Sequence, residues 1–341
     1  MIFVTGATGF LGSHLLHDLT ILDRPVRALY HNKERIGLVR QLFSYYHKDP
    51  GNLLNKIEWV QGDILDYYSL VDHMNGISQV YHCAGMVSFN PAEIRKMTDI
   101  NVRGTTHVVN ACLEQKIDRL CHVSSIAALG DSQDGNLIDE SSLWSQESYS
   151  TPYSRSKYRS EMEVWRGIFE GLNAVIINPS VIIGPGIWSG PIPELYYLIK
   201  AGLWYYPTGA SGFVDVRDVV RVMISLADSN IRSERFIVSA ENRTLREVIG
   251  FFAESIQKPV PDHPLTPGMI RAACLFEKIR SFLTGKSPRV NPTSMRSASA
   301  ITAYSNHKIV NALSFAFIPV KEAVSFSSRF YREELEKSGK I

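Results

Sequence analysis

Tyr153 and Lys157 stand four residues apart in Tyr-Ser-Arg-Ser-Lys, a spacing that puts two side chains on one helix face, about one turn apart. A tyrosine in water titrates near 10, so acid–base work near neutral pH asks for a shift of about three units, or about 4 kcal/mol. An ammonium one turn along can supply much of that by favouring the tyrosinate, and it can also hydrogen-bond a cofactor ribose. Upstream, Ser124-Ser125 closes an apolar run, where a serine can hold a substrate oxygen in line with the tyrosine. Alone, Tyr-x-x-x-Lys more often marks an exposed helix face. Its place behind the serine pair and a glycine loop gives it weight.

That loop is Phe3-Val-Thr-Gly-Ala-Thr-Gly-Phe-Leu-Gly12, lying between a strand pattern and a helix pattern. Gly6, Gly9 and Gly12 let a backbone approach a pyrophosphate, and the amides of the helix N-terminus supply partial positive charge. An NAD site commonly carries an acid about twenty residues further on, to bond the adenosine ribose. Here that place reads Tyr30-His31-Asn32-Lys33, followed by Arg35. The acid is missing, and His31, Lys33 and Arg35 can attract a 2′-phosphate, which favours NADP over NAD; the bland reading makes Lys33 and Arg35 solvated positions at a helix start. Asp63, in Gln-Gly-Asp-Ile-Leu, serves either an adenine or a helix N-cap. Cys83-Ala84-Gly85 offers a second close backbone approach, and Asn101 is a polar residue in an apolar-striped helix, read equally well as a surface position.

The elements that must hold these residues alternate along the first half. Strand patterns run at 2–5, 26–30, 57–60, 79–83, 120–124 and 174–178, with helical patterns at about 10–22, 34–47, 66–75, 91–116 and 151–170 between them. Repeated βαβ units of this kind predict an α/β fold, a doubly wound parallel sheet of Rossmann type. Pro and Gly become frequent after Asn178, so a dinucleotide-binding domain is expected over 1–178 and a smaller α+β substrate lobe over 179–341, with a return to the first domain near 212–240 left open. In the lobe, helices are expected near 192–201, 216–228, 244–256, 268–284 and 320–337, strands at 204–207 and 235–239, and a loop over 285–292.

Composition narrows the class. The chain has 341 residues, 45% of them hydrophobic, and a net charge of +2, which gives no reason to expect a nucleic-acid partner. Cys83, Cys112, Cys121 and Cys274 show no metal or redox spacing, so reduced thiols, no metal site and a cytoplasmic enzyme are expected. Residues 1–5 run directly into a strand, and no secretory leader is expected. No apolar run spans a bilayer; the nearest, 268–284, is broken by Arg271, Glu277, Lys278 and Arg280 and reads as an amphipathic helix of the globule or a membrane-surface contact, without stable insertion.

Taken together, Thr5-Gly-Ala-Thr-Gly-Phe-Leu-Gly12, Gly62-Asp63, His82-Cys-Ala-Gly85, Asn101-Val, Val123-Ser-Ser125 and Tyr153-x-x-x-Lys157 resemble an extended short-chain dehydrogenase/reductase of the NAD-dependent epimerase/dehydratase family, from residue 1 to about 335. The resemblance implies Tyr153 as acid–base catalyst, Ser125 rather than Ser124 as its partner, and Lys157 as the third member. It implies cofactor contacts from Gly6, Thr8, Gly9, Phe10, Leu11, Gly12, His31, Lys33, Asp63, Ile64, Ala84, Gly85, Asn101, Tyr153, Lys157 and Pro179, with Asn101 supporting the active-site backbone or relaying a proton. Ile176-Ile-Asn-Pro-Ser-Val-Ile-Ile-Gly-Pro-Gly186 and Gly212-Phe-Val-Asp-Val-Arg-Asp-Val219 are similar to the dihydroflavonol reductase-like and hydroxysteroid dehydrogenase-like branch. That branch implies a small carbonyl or alcohol substrate, and Trp188, Tyr196, Tyr197, Trp204, Tyr205, Tyr206 and Phe213 can supply an apolar pocket, although such aromatics are more often core. A nucleotide-sugar epimerase or dehydratase, with Arg217, Arg243, Arg271, Arg289 and Arg296 available to clamp a diphosphate, is the alternative; a dinucleotide-binding regulatory protein without turnover is the second. The family also implies a homodimer through the helices near 91–116 and 151–170.

Overall fold

The computed structural model of the protein describes residues 1–131, 137–144, 151–186, 191–284, 290 and 292–337. Its strands are β1 (Ile2–Thr5), β2 (Val26–Tyr30), β3 (Ile57–Gln61), β4 (Gln79–His82), β5 (Arg119–Val123), β6 (Ala174–Pro179), β7 (Val181–Ile183), β8 (Tyr205–Tyr206), β9 (Ala210–Asp215), β10 (Glu234–Val238), β11 (Glu241–Thr244) and β12 (His263–Pro264). The helices are α1 (Phe10–Ile21), α2 (Ile36–Tyr46), α3 (Gly51–Leu54), α4 (Tyr67–His73), α5 (Ile94–Thr98), α6 (Gly104–Glu114), α7 (Pro152–Phe169), α8 (Pro191–Lys200), α9 (Val216–Asp228), α10 (Leu245–Ser255), α11 (Pro267–Thr284), α12 (Pro292–Ser299), α13 (His307–Leu313) and α14 (Val320–Lys337).

Seven strands form one sheet in the order β10-β6-β5-β4-β1-β2-β3, and every pairing in it is parallel. This is the doubly wound Rossmann arrangement, and the order reverses between β1 and β4, where such sheets open a ligand crevice. Alternate residues of β1 serve the two faces: Ile2 and Val4 join a core with Leu15, Leu16 and Leu19 of α1 and Met223 and Leu226 of α9. Phe3 joins a second core with Val108, Val109 and Cys112 of α6 and Val164 of α7. A sheet covered on both faces needs strands apolar on both sides, and β6 is buried along its whole length.

Beyond β6 the chain leaves the large sheet. β7 pairs with β9, and β11 with β9, in a separate three-stranded sheet. The chain then comes back: α9 packs on α1, and β10 pairs with β6 from Glu234↔Val175 to Val238↔Pro179. The strand expected at 235–239 in the lobe is thus the seventh strand of the large sheet, because Phe236, Ile237 and Val238 are apolar enough to sit at its covered edge. The lobe itself packs α8, α10 and α14 around Phe213, Phe252, Phe330 and Tyr331. Of the expected loop 285–292, Pro292 begins α12, while 285–289 and 291 lie outside the described residues.

Candidate active site

The turn after β1 is built for close approach. Gly6 has φ +67°, and a Cβ there would lie 2.5 Å from the Ala84 amide nitrogen, so the loop after β1 runs backbone to backbone against the loop after β4. A Cβ on Gly12 would strike the Gly6 carbonyl oxygen. Gly9 precedes α1 with no side-chain cap and no acid in the first turn, which leaves the helix N-terminus to the partial positive charge of its own amides. The cradle fits a pyrophosphate. Thr8 and Leu11 are buried beside it, and Phe10 packs at the glycine turn of Gly184.

At the far end of the crevice, Asp63 accepts from the Leu65 amide at 2.9 Å, and its other oxygen lies 3.6 Å from His31 Nδ1. Asp63 therefore caps its own turn and still presents an exposed carboxylate beside His31. Ile64 turns its side chain inward, against the position where Gly104 has no side chain. Lys33 and Arg35 sit on the single turn that Asn32 caps after β2, and neither forms an ion pair with a carboxylate among the described residues. Pro179 closes β6, buried against Val238.

α7 starts where the sequence tells it to. Thr151 caps it by accepting from the Ser154 amide at 3.0 Å, Pro152 occupies the first turn, and Gly171 with φ +102° follows its end. Tyr153, Lys157 and Glu161 then rise along one face. Loss of hydration pushes the Tyr153 pKa above the ordinary value near 10, with the Ser125 hydroxyl pulling it down. Lys157 is not among the groups that lower it, contrary to the expectation from the sequence. Lys157 is itself buried, donates to the Val123 carbonyl at 2.9 Å, and has its pKa lowered to about 8 by loss of hydration, with Glu161 pulling the other way. Removing both groups from water costs each its charged form, so the resting tyrosine is a neutral acid.

Three residues around this trio were not fully legible beforehand. Asn101, 1% exposed, is no surface residue. It lies in a widened helical turn, Asp99–Arg103, between α5 and α6, a distortion that often marks functional positions. From there its side chain accepts from the Met86 amide at 2.7 Å and donates to the Met86 carbonyl and the Ser156 hydroxyl, each at 2.9 Å. It thereby fixes the backbone just past Ala84 and Gly85. Glu161, fully buried, accepts from Ser124 at 2.6 Å, from Asn178 at 2.8 Å and from Arg235 at 2.9 Å. Asn178 in turn donates to the Ser125 carbonyl at 3.0 Å, so one carboxylate ties the serine-bearing turn to β6 and β10. Phe89 meets the Tyr153 ring edge-on at 6.4 Å.

The aromatics named for the pocket divide. Tyr196 and Phe213 are core residues, Tyr206 is half-buried, and Tyr197, Trp204 and Tyr205 face outward. Trp188 and Arg289 lie outside the described residues. No group of His, Cys, Asp and Glu able to hold a metal occurs among the described residues.

The profile of the NAD-dependent epimerase/dehydratase family matches residues 2–238. The chain belongs to that family. It is an NAD(P)-dependent oxidoreductase of the extended short-chain dehydrogenase/reductase type. It is 28% identical over 299 residues to sterol demethylase protein B of Methylococcus capsulatus, with 86% of each chain covered. It is 29% identical over 339 residues to a putative dihydroflavonol 4-reductase of Synechocystis, covering 97% of this chain and 94% of the relative. Cinnamoyl-CoA reductase 1 of Petunia hybrida is 27% identical over 336 residues, covering 95% and 90%. Among solved structures, gox2253 superposes with a TM-score of 0.81 at 25% identity over 98% of each chain. MoeE5, solved with UDP-glucose and NAD, gives 0.73 at 20% identity over 98% of this chain and 99% of its own, a likeness of fold.

Proposed function

We propose that the protein interconverts an apolar carbonyl compound and its alcohol, with NADP preferred over NAD. The observation that carries this reading is the half-buried Tyr153 beside Ser125, with the buried Lys157 one turn along and Phe89 against the ring. When bound along Gly6, Gly9, Gly12, Ala84 and Gly85, the nicotinamide cofactor supplies the hydride for the carbonyl carbon. Tyr153 donates its proton to the substrate oxygen, a task suited to a tyrosine that burial keeps protonated. Ser125 Oγ holds that oxygen in line, and the Lys157 ammonium stabilises the tyrosinate left behind. Phe89, at the Tyr153 ring, and Val87 of the same segment are 37% and 64% exposed, apolar surface that such a substrate would cover. The names of the reductase relatives support the same substrate class. For the cofactor, Lys33 and Arg35 beside His31 support recognition of a 2′-phosphate.

A nucleotide-sugar epimerase or dehydratase would clamp its diphosphate with several cations of the lobe, of which Arg271 is exposed. Arg217 is instead paired with Asp215 at 2.6 Å, and Arg243 with Glu241 at 2.8 Å, which supports the reductase. A two-copy assembly through α6 and α7 belongs to the same reading, and sedimentation velocity tests it. The deciding assay mixes the protein with NADPH or NADH and a panel of hydrophobic aldehydes, ketones and UDP- and dTDP-sugars. Net oxidation of NADPH with an apolar carbonyl is expected. Turnover of a sugar nucleotide with no net cofactor oxidation would establish the alternative, and cofactor binding without any turnover would establish a regulatory role.

A further inference from the structure

We propose that α11 docks the lobe on an anionic lipid surface. The ion pair of α11 among the described residues joins Arg280 to Glu277 at 2.7 Å, with side chains 21% and 12% exposed. Leu275 and Phe276 are 60% and 67% exposed, and Ala272 and Ala273 are exposed with them. None of the residues of α11 whose side chains are described is buried. Covering a leucine or phenylalanine recovers about 1.5–3 kcal/mol each, so apolar side chains gathered on one helix face favour a surface that covers them.

Charge decides what that surface is. Arg271 and Lys278, both exposed, stand four residues before Leu275 and three after it, on the same side of the helix. The only acid of α11, Glu277, is paired with Arg280 and 12% exposed. An apolar stripe flanked by cations and free of acids complements acyl chains lying beneath anionic headgroups. A second copy docked about a two-fold would instead bring this cationic face against its own equivalent. At 18 residues, or about 27 Å, α11 lies along a bilayer, and no described helix is long and apolar enough to cross one. Trp204 and Tyr205, 71% and 43% exposed, adjoin its start through the β8–β12 pairing, and such side chains settle at headgroup level. Docking stands independently of which carbonyl is reduced, because it is read without turnover.

The test is flotation of the full chain with phosphatidylglycerol-rich vesicles and with pure phosphatidylcholine vesicles. Tighter binding to the anionic vesicles, weakened by salt, is expected. Leu275→Ser with Phe276→Ser should lower that binding by about tenfold, and Arg271→Ala with Lys278→Ala should remove the anionic preference. Circular dichroism and turnover of a water-soluble carbonyl should stay unchanged, since all four positions are exposed. Equal flotation of wild type and the Leu275/Phe276 variant overturns the proposal. So does wild-type self-association that this variant abolishes, which assigns the face to a second copy. A raised KM for the soluble carbonyl with vesicle binding intact assigns it to substrate.

Discussion

Lys157 holds its charge at a cost. Its pKa is lowered to about 8, so the ammonium that stabilises the departing proton's tyrosinate is present below that pH and lost above it. Carbonyl reduction at saturating cofactor should therefore fall through a midpoint near 8, about tenfold per unit beyond it, and a pH–rate profile checks this; a flat profile to about pH 10 would contradict it. Glu161 makes a second prediction at this scale. Glu161→Gln leaves Arg235 without its buried counter-charge, which should cost about 3 kcal/mol in urea unfolding. Because the same carboxylate ties Ser124 and Asn178, kcat should drop more than cofactor affinity changes. The catalytic trio was legible because Tyr153 and Lys157 share one helix and Ser125 ends one strand. Glu161 was not, since its partners Arg235 and Asn178 sit on other elements, while Asn101 was named through the resemblance alone and only its surface reading fails.

The glycine turn and the widened turn at Asp99–Arg103 are the two elements that aim the site. Gly6→Ala combines a strained positive φ with a collision against the Cys83–Ala84 backbone. It should cost about 1–3 kcal/mol of stability and weaken cofactor binding by more than tenfold; fluorescence titration with NADPH measures the second effect, and an unchanged affinity would remove the loop from the cofactor's path. The glycine loop announced itself because its three small residues sit between a period-two and a period-3.6 pattern. The widened turn did not. Its apolar stripe continues through 91–116, and the insertion is visible only in where Asn101 and Thr105 send their hydrogen bonds.

Across the whole molecule, the Rossmann sheet was readable up to β6, where every strand is followed by its helix. β10 was harder to place, because the chain first makes the three-stranded sheet and α9, and sequence alone does not show which sheet edge is vacant. Buried histidines set the acid limit of the assembled fold. His14 and His82 have pKa values lowered to about 4 and about 3 by burial, and His122 is held well below its ordinary value. Unfolded, each takes a proton below about 6.5, so the folded state binds fewer protons and loses stability as pH falls from 6.5 toward those values. The slope approaches about 1.4 kcal/mol per pH unit for each histidine, and melting temperatures recorded from pH 7 to 4 check the sign. The central claim, that Tyr153 is the proton donor of a carbonyl reductase, meets its most direct test in single-turnover NADPH oxidation by Tyr153→Phe. A loss of at least about a hundredfold in rate with nearly unchanged NADPH affinity is predicted, and wild-type-like turnover in that variant would contradict it.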